Sequence, residues 1–174
     1  MQPRHRPGAQ PTVDDGARSA SITATSAGKK YWRNLDAQHE NLGAVLDSLA
    51  ARIGAIAERP DDIAARVEML RLLRELEHLL PEHFEYEESG GYLAEALAVA
   101  PRLTRRAQRL RDEHSGFSAK LAALAARARE VGELPGSWKA LATAVKKFTY
   151  ELRHHELEEN TLINEAFMDD LGGG

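Results

Sequence analysis

Apolar residues recur every three or four positions through most of the chain, in four successive runs. From about Lys29 to Glu58 the stripe reads Leu35, His39, Leu42, Leu46, Leu49, Ile53. From about Asp62 to Glu88 it reads Met69, Leu73, Leu76, Leu80, His83, Glu87. A third run, ending near Val131, gives Leu103, Ala107, Leu110, His114, Phe117, Leu121, Leu124. The fourth gives Trp138, Leu141, Val145, Phe148, Leu152, His155, Glu159, Leu162. This is the period of amphipathic helices packed side by side. Pro60-Asp61-Asp62, Ser89-Gly90-Gly91 and Leu134-Pro135-Gly136-Ser137 separate the runs, with Asp61 and Ser137 as expected N-caps. Residues 92–100 predict a short helix before Pro101, and Pro81 should kink the second run or remove one of its backbone bonds. Four such helices joined by turns predict an all-α fold, an antiparallel up-down-up-down four-helix bundle over residues 29–168. Residues 1–28 are rich in Pro, Gly, Ser, Thr and Ala and predict a disordered tail, and 169–174 a short C-terminal one.

Composition narrows the function classes. Leu, Ala, Glu and Arg dominate, and only 6% of residues are aromatic, which favours helix over sheet. A net charge of −4 argues against a nucleic-acid binder. The basic run Arg102, Arg105, Arg106, Arg109, Arg111 has acidic neighbours in Asp112 and Glu113 and a helical period, as on a solvated helix face. The absence of cysteine excludes disulfides, thiolate metal sites and a cysteine nucleophile. No apolar stretch approaches membrane-spanning length, and no apolar h-region follows Arg4-His5-Arg6, so the expected location is the cytoplasm.

The polar residues on the apolar stripes carry the chemistry. The first and third stripes each contain one histidine, His39 and His114. The second and fourth each contain a His-x-x-x-Glu pair, His83/Glu87 and His155/Glu159. A residue and its i+4 neighbour project from one helix face, as two ligands of one ion must. His39 and His114 are 75 residues apart and His83 and His155 are 72, so the chain reads as a duplicated helical hairpin with half a site in each copy. Counted back to the turns at Pro60 and Pro135, the residues of each hairpin reach one level, roughly 30–35 Å from the turn at 1.5 Å per residue. The path of residues 90–101, which must bring the second hairpin level with the first, cannot be read from the pattern.

A lone core histidine is more often a hydrogen-bonded structural residue than a ligand, and a lone His-x-x-x-Glu arises readily by chance. Six such residues on four consecutive stripes, with no polar partner on those stripes, point instead to metal. Neutral imidazoles with carboxylates suit Fe, Mn or Zn, and two equivalent halves suit two ions sharing carboxylates. Two other metal motifs are excluded. The Glu-x-x-His of ferritin-like bundles does not occur at these positions, and His155 is followed by Glu156-Leu157-Glu158-Glu159 rather than by the second histidine of His-Glu-x-x-His. His154 and Glu158 fall off the stripe, and His78 lies on a polar face.

The order lone His, His-x-x-x-Glu, lone His, His-x-x-x-Glu, with the blocks HFEYEESGGY (83–92) and HHELEEN (154–160), resembles the hemerythrin-like (HHE cation-binding) family over about residues 30–168. The resemblance implies a non-haem centre of two iron ions, oxo- or hydroxo-bridged, held by His39, His83, Glu87, His114, His155 and Glu159 with the glutamates bridging. It also implies a small ligand such as O2, NO or peroxide. The chain departs from the oxygen-carrying members at two points. Ser118 stands where they have a second histidine one turn after His114, and Glu159 lies four residues after His155 where they have an aspartate at five. The resemblance therefore implies sensing or handling of O2, NO, peroxide or iron rather than oxygen carriage. A peroxidase or NO-reducing enzyme and a metal-free helical interaction module are the alternatives.

Overall fold

The computed structural model describes residues 26–89, 97–98, 100–132 and 135–170. Four helices carry the fold: α1 (Ser26–Glu58), α2 (Ile63–Ser89), α3 (Thr104–Glu130) and α4 (Pro135–Asp170), with a single 3₁₀ turn, Pro101–Leu103, leading into α3. Each helix packs on its neighbour in the chain and α4 closes the ring against α1, as in an antiparallel bundle.

The stripes predicted from periodicity are the buried faces. Every stripe residue of α2 and α4 is buried, as are those of α1 except half-buried His39. On α3 the stripe holds to Leu121 and then passes from half-buried Leu124 to Ala125 and Ala128. A straight helix of 3.6 residues per turn drifts off a seven-residue repeat in this way.

Two expected caps are corrected. The Asp62 carboxylate, not that of Asp61, accepts the Ala65 backbone N–H at 3.0 Å, which makes Asp62 the N-cap of α2. Asp62 also pairs with Arg59 at 3.2 Å, while the Arg66 guanidinium donates to the Pro60 carbonyl at 2.6 Å and lies 5.0 Å over the Trp138 ring. The turn is thereby tied to the start of α4. That helix begins at Pro135, so Ser137 lies inside its first turn rather than at the cap. Proline suits this position because the first helical N–H has no intrahelical acceptor and the ring presets φ. α2 runs without a break through Pro81, which has no N–H to give the Glu77 carbonyl. The expected helix at 92–100 lies largely outside the described residues, with Leu97 and Ala98 helical. The tail through residue 25 lies outside them too, and α1 starts three residues before Lys29.

The interior is layered along the bundle axis. The larger apolar core runs from the Pro60 and Pro135 turns up to Leu80, Phe84, Phe117, Phe148 and Leu152. A smaller one, built from Leu35, Ala100, Leu103, Ala107, Leu110, Leu162, Ile163 and Ala166, fills the far end, with Leu97 and Tyr86 against it. Leu97, Ala100 and Leu103, which precede α3, supply apolar groups to this end of the bundle. His83, Glu87, His114, His155 and Glu159 are the buried polar layer between the two cores.

The cap assignment predicts that Asp62→Ala lowers stability by about 1 kcal/mol, whereas Asp61→Ala has a much smaller effect. Denaturant unfolding of the two variants measures both, and a larger loss from Asp61 would place the cap one residue earlier.

Candidate metal centre

Seven side chains from all four helices meet in this polar layer and fall into two groups. His39, His83, Glu87 and Glu156 form the first, and His114, His155 and Glu159 the second. Within each group the ligand-capable atoms lie within 4.8 Å of one another. Donors about 2.1 Å from one ion can be at most roughly 4.2 Å apart, so both groups need only slight contraction around a cation.

Distances give the arrangement. His83 Nε2 is 3.1 Å from Glu87 Oε1 and 3.3 Å from Glu156 Oε1, and His39 Nε2 is 3.6 Å from Glu87 Oε1 and 3.4 Å from Glu156 Oε2. In the second group Glu159 Oε1 lies 3.3 Å from His114 Nε2 and 3.5 Å from His155 Nε2. The other oxygen of Glu87, Oε2, is 3.7 Å from His114 Nε2. Glu87 thus turns one oxygen to each group, while Glu159 Oε1 stays within the second.

All six residues singled out from the sequence are brought together, and a seventh, Glu156, joins them. It sits beside the α4 stripe, one residue after His155, where a glutamate ordinarily reads as a solvated flanking charge. The only sign of it in the sequence is its place next to a stripe histidine. His154 is exposed, as its register requires, and so is His78.

The rings are aimed from outside. His114 Nδ1–H donates to Glu88 Oε1 at 2.9 Å, His155 Nδ1–H to Glu113 Oε2 at 3.0 Å, and His83 Nδ1–H to Gln38 Oε1 at 3.4 Å. A carboxylate or amide oxygen can only accept, so each contact puts a proton on Nδ1 and turns Nε2 inward, as metal-binding imidazoles require. Phe84 stacks on His114 with centroids 4.0 Å apart and an interplanar angle of 3°, and Phe117 lies 5.0 Å from His155. These two rings are the face of the larger core that the second group meets.

Apart from the bond between His114 Nε2 and Glu159 Oε1 at 3.3 Å, most of the inward atoms are left without hydrogen bonds. Among the described residues the buried side-chain N and O atoms lacking any such partner are His39 Nε2, His83 Nε2, both oxygens of Glu87, His155 Nε2, Glu156 Oε1 and Glu159 Oε2, and all belong to this layer. His83 Nε2 and Glu87 Oε1 are near enough to bond, but the ring N–H direction misses the oxygen. Each buried polar atom without a partner costs about 1–3 kcal/mol, more for a carboxylate. A divalent cation in each group would satisfy the nitrogens and oxygens together, so the donor set fits metal.

Without a cation, protons take its part. Burial opposes a charged His83 ring, but the Glu156 and Glu87 carboxylates outweigh it and raise the His83 pKa to about 10. Burial likewise opposes a charged His114, and Glu159 and Glu88 outweigh it to raise that pKa as well. Burial pushes Glu87 upward, yet His39 and His83 against it bring it down to about 2. Glu159 stays raised, because burial, reinforced by Glu87, prevails over His114.

The Hemerythrin HHE cation binding domain matches residues 31–166, which span all four helices. No curated protein and no solved structure matches the chain.

Two outcomes follow from this geometry. His155→Ala and Glu156→Ala should each cost at least one bound ion, whereas His154→Ala should keep the wild-type content. Metal analysis of the three variants decides the register and the part of Glu156, since loss only in His154→Ala would shift the register by one. The second outcome concerns pH. A folded-state pKa raised from 6.5 to about 10 makes His83 stabilise the metal-free fold fully below pH 6.5, and that contribution is lost as pH rises to 10. Metal must displace this proton, so the loaded protein has none to lose there. The stability gap between loaded and metal-free protein should widen from about pH 6.5 to 10, higher than the ordinary histidine range would place it. Thermal melts of both forms across that range measure it, and a constant or narrowing gap would contradict it.

Proposed function

The chain belongs to the hemerythrin HHE cation-binding family, and from that membership we propose that it is a non-haem di-iron protein that senses or handles O2, NO, peroxide or iron. In this reading His39, His83 and Glu156 hold one iron, His114, His155 and Glu159 hold the other, and Glu87 is shared. The observation that carries it is the split of Glu87, with one carboxylate oxygen facing each group.

The chemistry of the donors supports iron. Four imidazoles and three carboxylates offset much of the charge of two divalent ions without fully quenching it, and nitrogen–oxygen donor sets suit iron in either common oxidation state. Iron held there would supply one-electron chemistry and a Lewis-acidic position for a small ligand. The protein's own part is to keep the rings fixed through their Nδ1–H bonds and to exclude bulk water with Phe84 and Phe117. The apolar layers on either side admit a diatomic molecule more readily than a charged metabolite.

One observation favours an enzyme that turns over peroxide or NO. A cleft of about 580 Å³ lies beside the second group, lined by Phe117, Tyr150, His154 and His155 among others. Glu113, which bonds the outer nitrogen of His155, also lines this cleft. The cleft therefore meets the ring from its Nδ1 side, away from the inward-facing donors, and we rank turnover below sensing or storage. Steady consumption of peroxide or NO with a supplied reductant would reverse that order.

Protein purified without added iron and then reconstituted anaerobically should bind two irons per chain and gain near-ultraviolet absorption on oxidation. A content that never exceeds one ion per chain would contradict the paired centre. Failure to bind any would favour a metal-free helical module.

A further inference from the structure

The two groups present nearly the same donors inward, but they differ in what stands behind their histidines. Behind the second group are two carboxylates, Glu88 at 2.9 Å from His114 Nδ1 and Glu113 at 3.0 Å from His155 Nδ1. Behind the first group, among the described residues, stands the neutral amide of Gln38, 3.4 Å from His83 Nδ1. A charge-assisted bond at 2.9–3.0 Å draws the Nδ1 proton toward the carboxylate and increases the electron density that Nε2 can donate. An amide at 3.4 Å does this weakly. Glu88 and Glu113 are about half exposed, so their through-space field is screened. Their effect passes through the hydrogen bond and the ring, and both rings are buried.

Resting on the di-iron reading above, we propose that Glu88 and Glu113 make the two metal positions inequivalent. They direct the first oxidation to the ion held by His114, His155 and Glu159, while the ion held by His39, His83 and Glu156 stays divalent and Glu87 is shared by both. The step is the loss of one electron from a diferrous pair to a one-electron acceptor, giving one ferric and one ferrous ion. No bond to the protein is made or broken. Electron-rich imidazoles stabilise the higher charge, so the side with two carboxylate-backed rings gives up its electron more readily. Glu88 and Glu113 are positioning residues, because they act through His114 and His155 without touching the metal.

The surroundings of the two carboxylates fit such a role. Glu88 is on the last turn of α2 and Glu113 is on α3, so residues from both hairpins back the second group. Glu113 also borders the open cleft beside His155. A one-electron partner approaching there would meet the second group through the carboxylate and its imidazole.

Electrochemical titration of the iron-loaded full chain, with the electrode taking up the electrons and spectra recorded at each potential, tests the inference. Glu88→Gln and Glu113→Gln keep an acceptor oxygen of the same shape and remove its charge, and both positions are exposed enough for the fold to persist. In the double variant the first oxidation should become harder by at least tenfold in the ferric-to-ferrous ratio, which is 59 mV for one electron, with the second oxidation moved less. Gln38→Glu should do the converse, easing the second oxidation and leaving the first nearly in place. The electron paramagnetic resonance signal of the half-oxidised protein should change in the double variant. Unchanged potentials and signal in a double variant that still holds two irons would overturn the inference and leave the di-iron reading intact. Wild-type protein that binds fewer than two irons would overturn both.

Discussion

The structure depends on a layer of inward-facing nitrogens and oxygens, most of which no group in the protein satisfies. Burying carboxylates together in an apolar bundle is strongly unfavourable, and here three approach one another with four imidazoles between them. Either protons or cations must reside there. The raised values of His83 and His114 beside the lowered value of Glu87 describe the proton solution, and the unmet lone pairs describe its incompleteness. A tightly packed hydrophobic layer at the same level would be easier to fold. Retaining seven polar side chains there makes structural sense chiefly if something charged binds them.

The rest of the bundle holds that layer in shape. Leu80, Phe84, Phe117 and Leu152 press on it from one side, and Leu35, Leu110 and Leu162 belong to the core on the other. The ion pairs Arg129–Glu77, Lys120–Glu151 and Arg153–Asp47 stitch adjacent helices at 2.6–2.7 Å, but they are exposed and each adds little to stability. Registry is set mainly by the apolar interdigitation, and the four histidines keep their common level because their neighbours on each stripe are large and fixed.

Most of this architecture was legible because burial in a helical bundle writes itself into the sequence with a fixed period. His39, His83, His114 and His155 occupy stripe positions, and the same period separates buried His155 from exposed His154. What escaped the pattern escaped for physical reasons. Glu156 flanks the stripe, and a flanking glutamate looks alike whether it turns toward water or toward a cavity. The outer partners Gln38, Glu88 and Glu113 are polar residues at polar positions, so only three-dimensional proximity distinguishes them from their neighbours. The choice between Asp61 and Asp62 as cap turned on a single residue of register, which propensity does not resolve.

The proline inside α2 gives that helix a mechanical character unlike that of the other helices. The ring sits two residues before His83 and six before Glu87, and it leaves the Glu77 carbonyl without its intrahelical donor just ahead of the segment that carries both. A missing bond at that point favours opening of the segment beyond it ahead of the rest of the helix. Glu87, whose two oxygens face the two groups, rides on that segment. Its opening would withdraw a donor from both groups at once, which couples the lifetime of a bound ion to the fraying of one helix end rather than to the stability of the whole bundle.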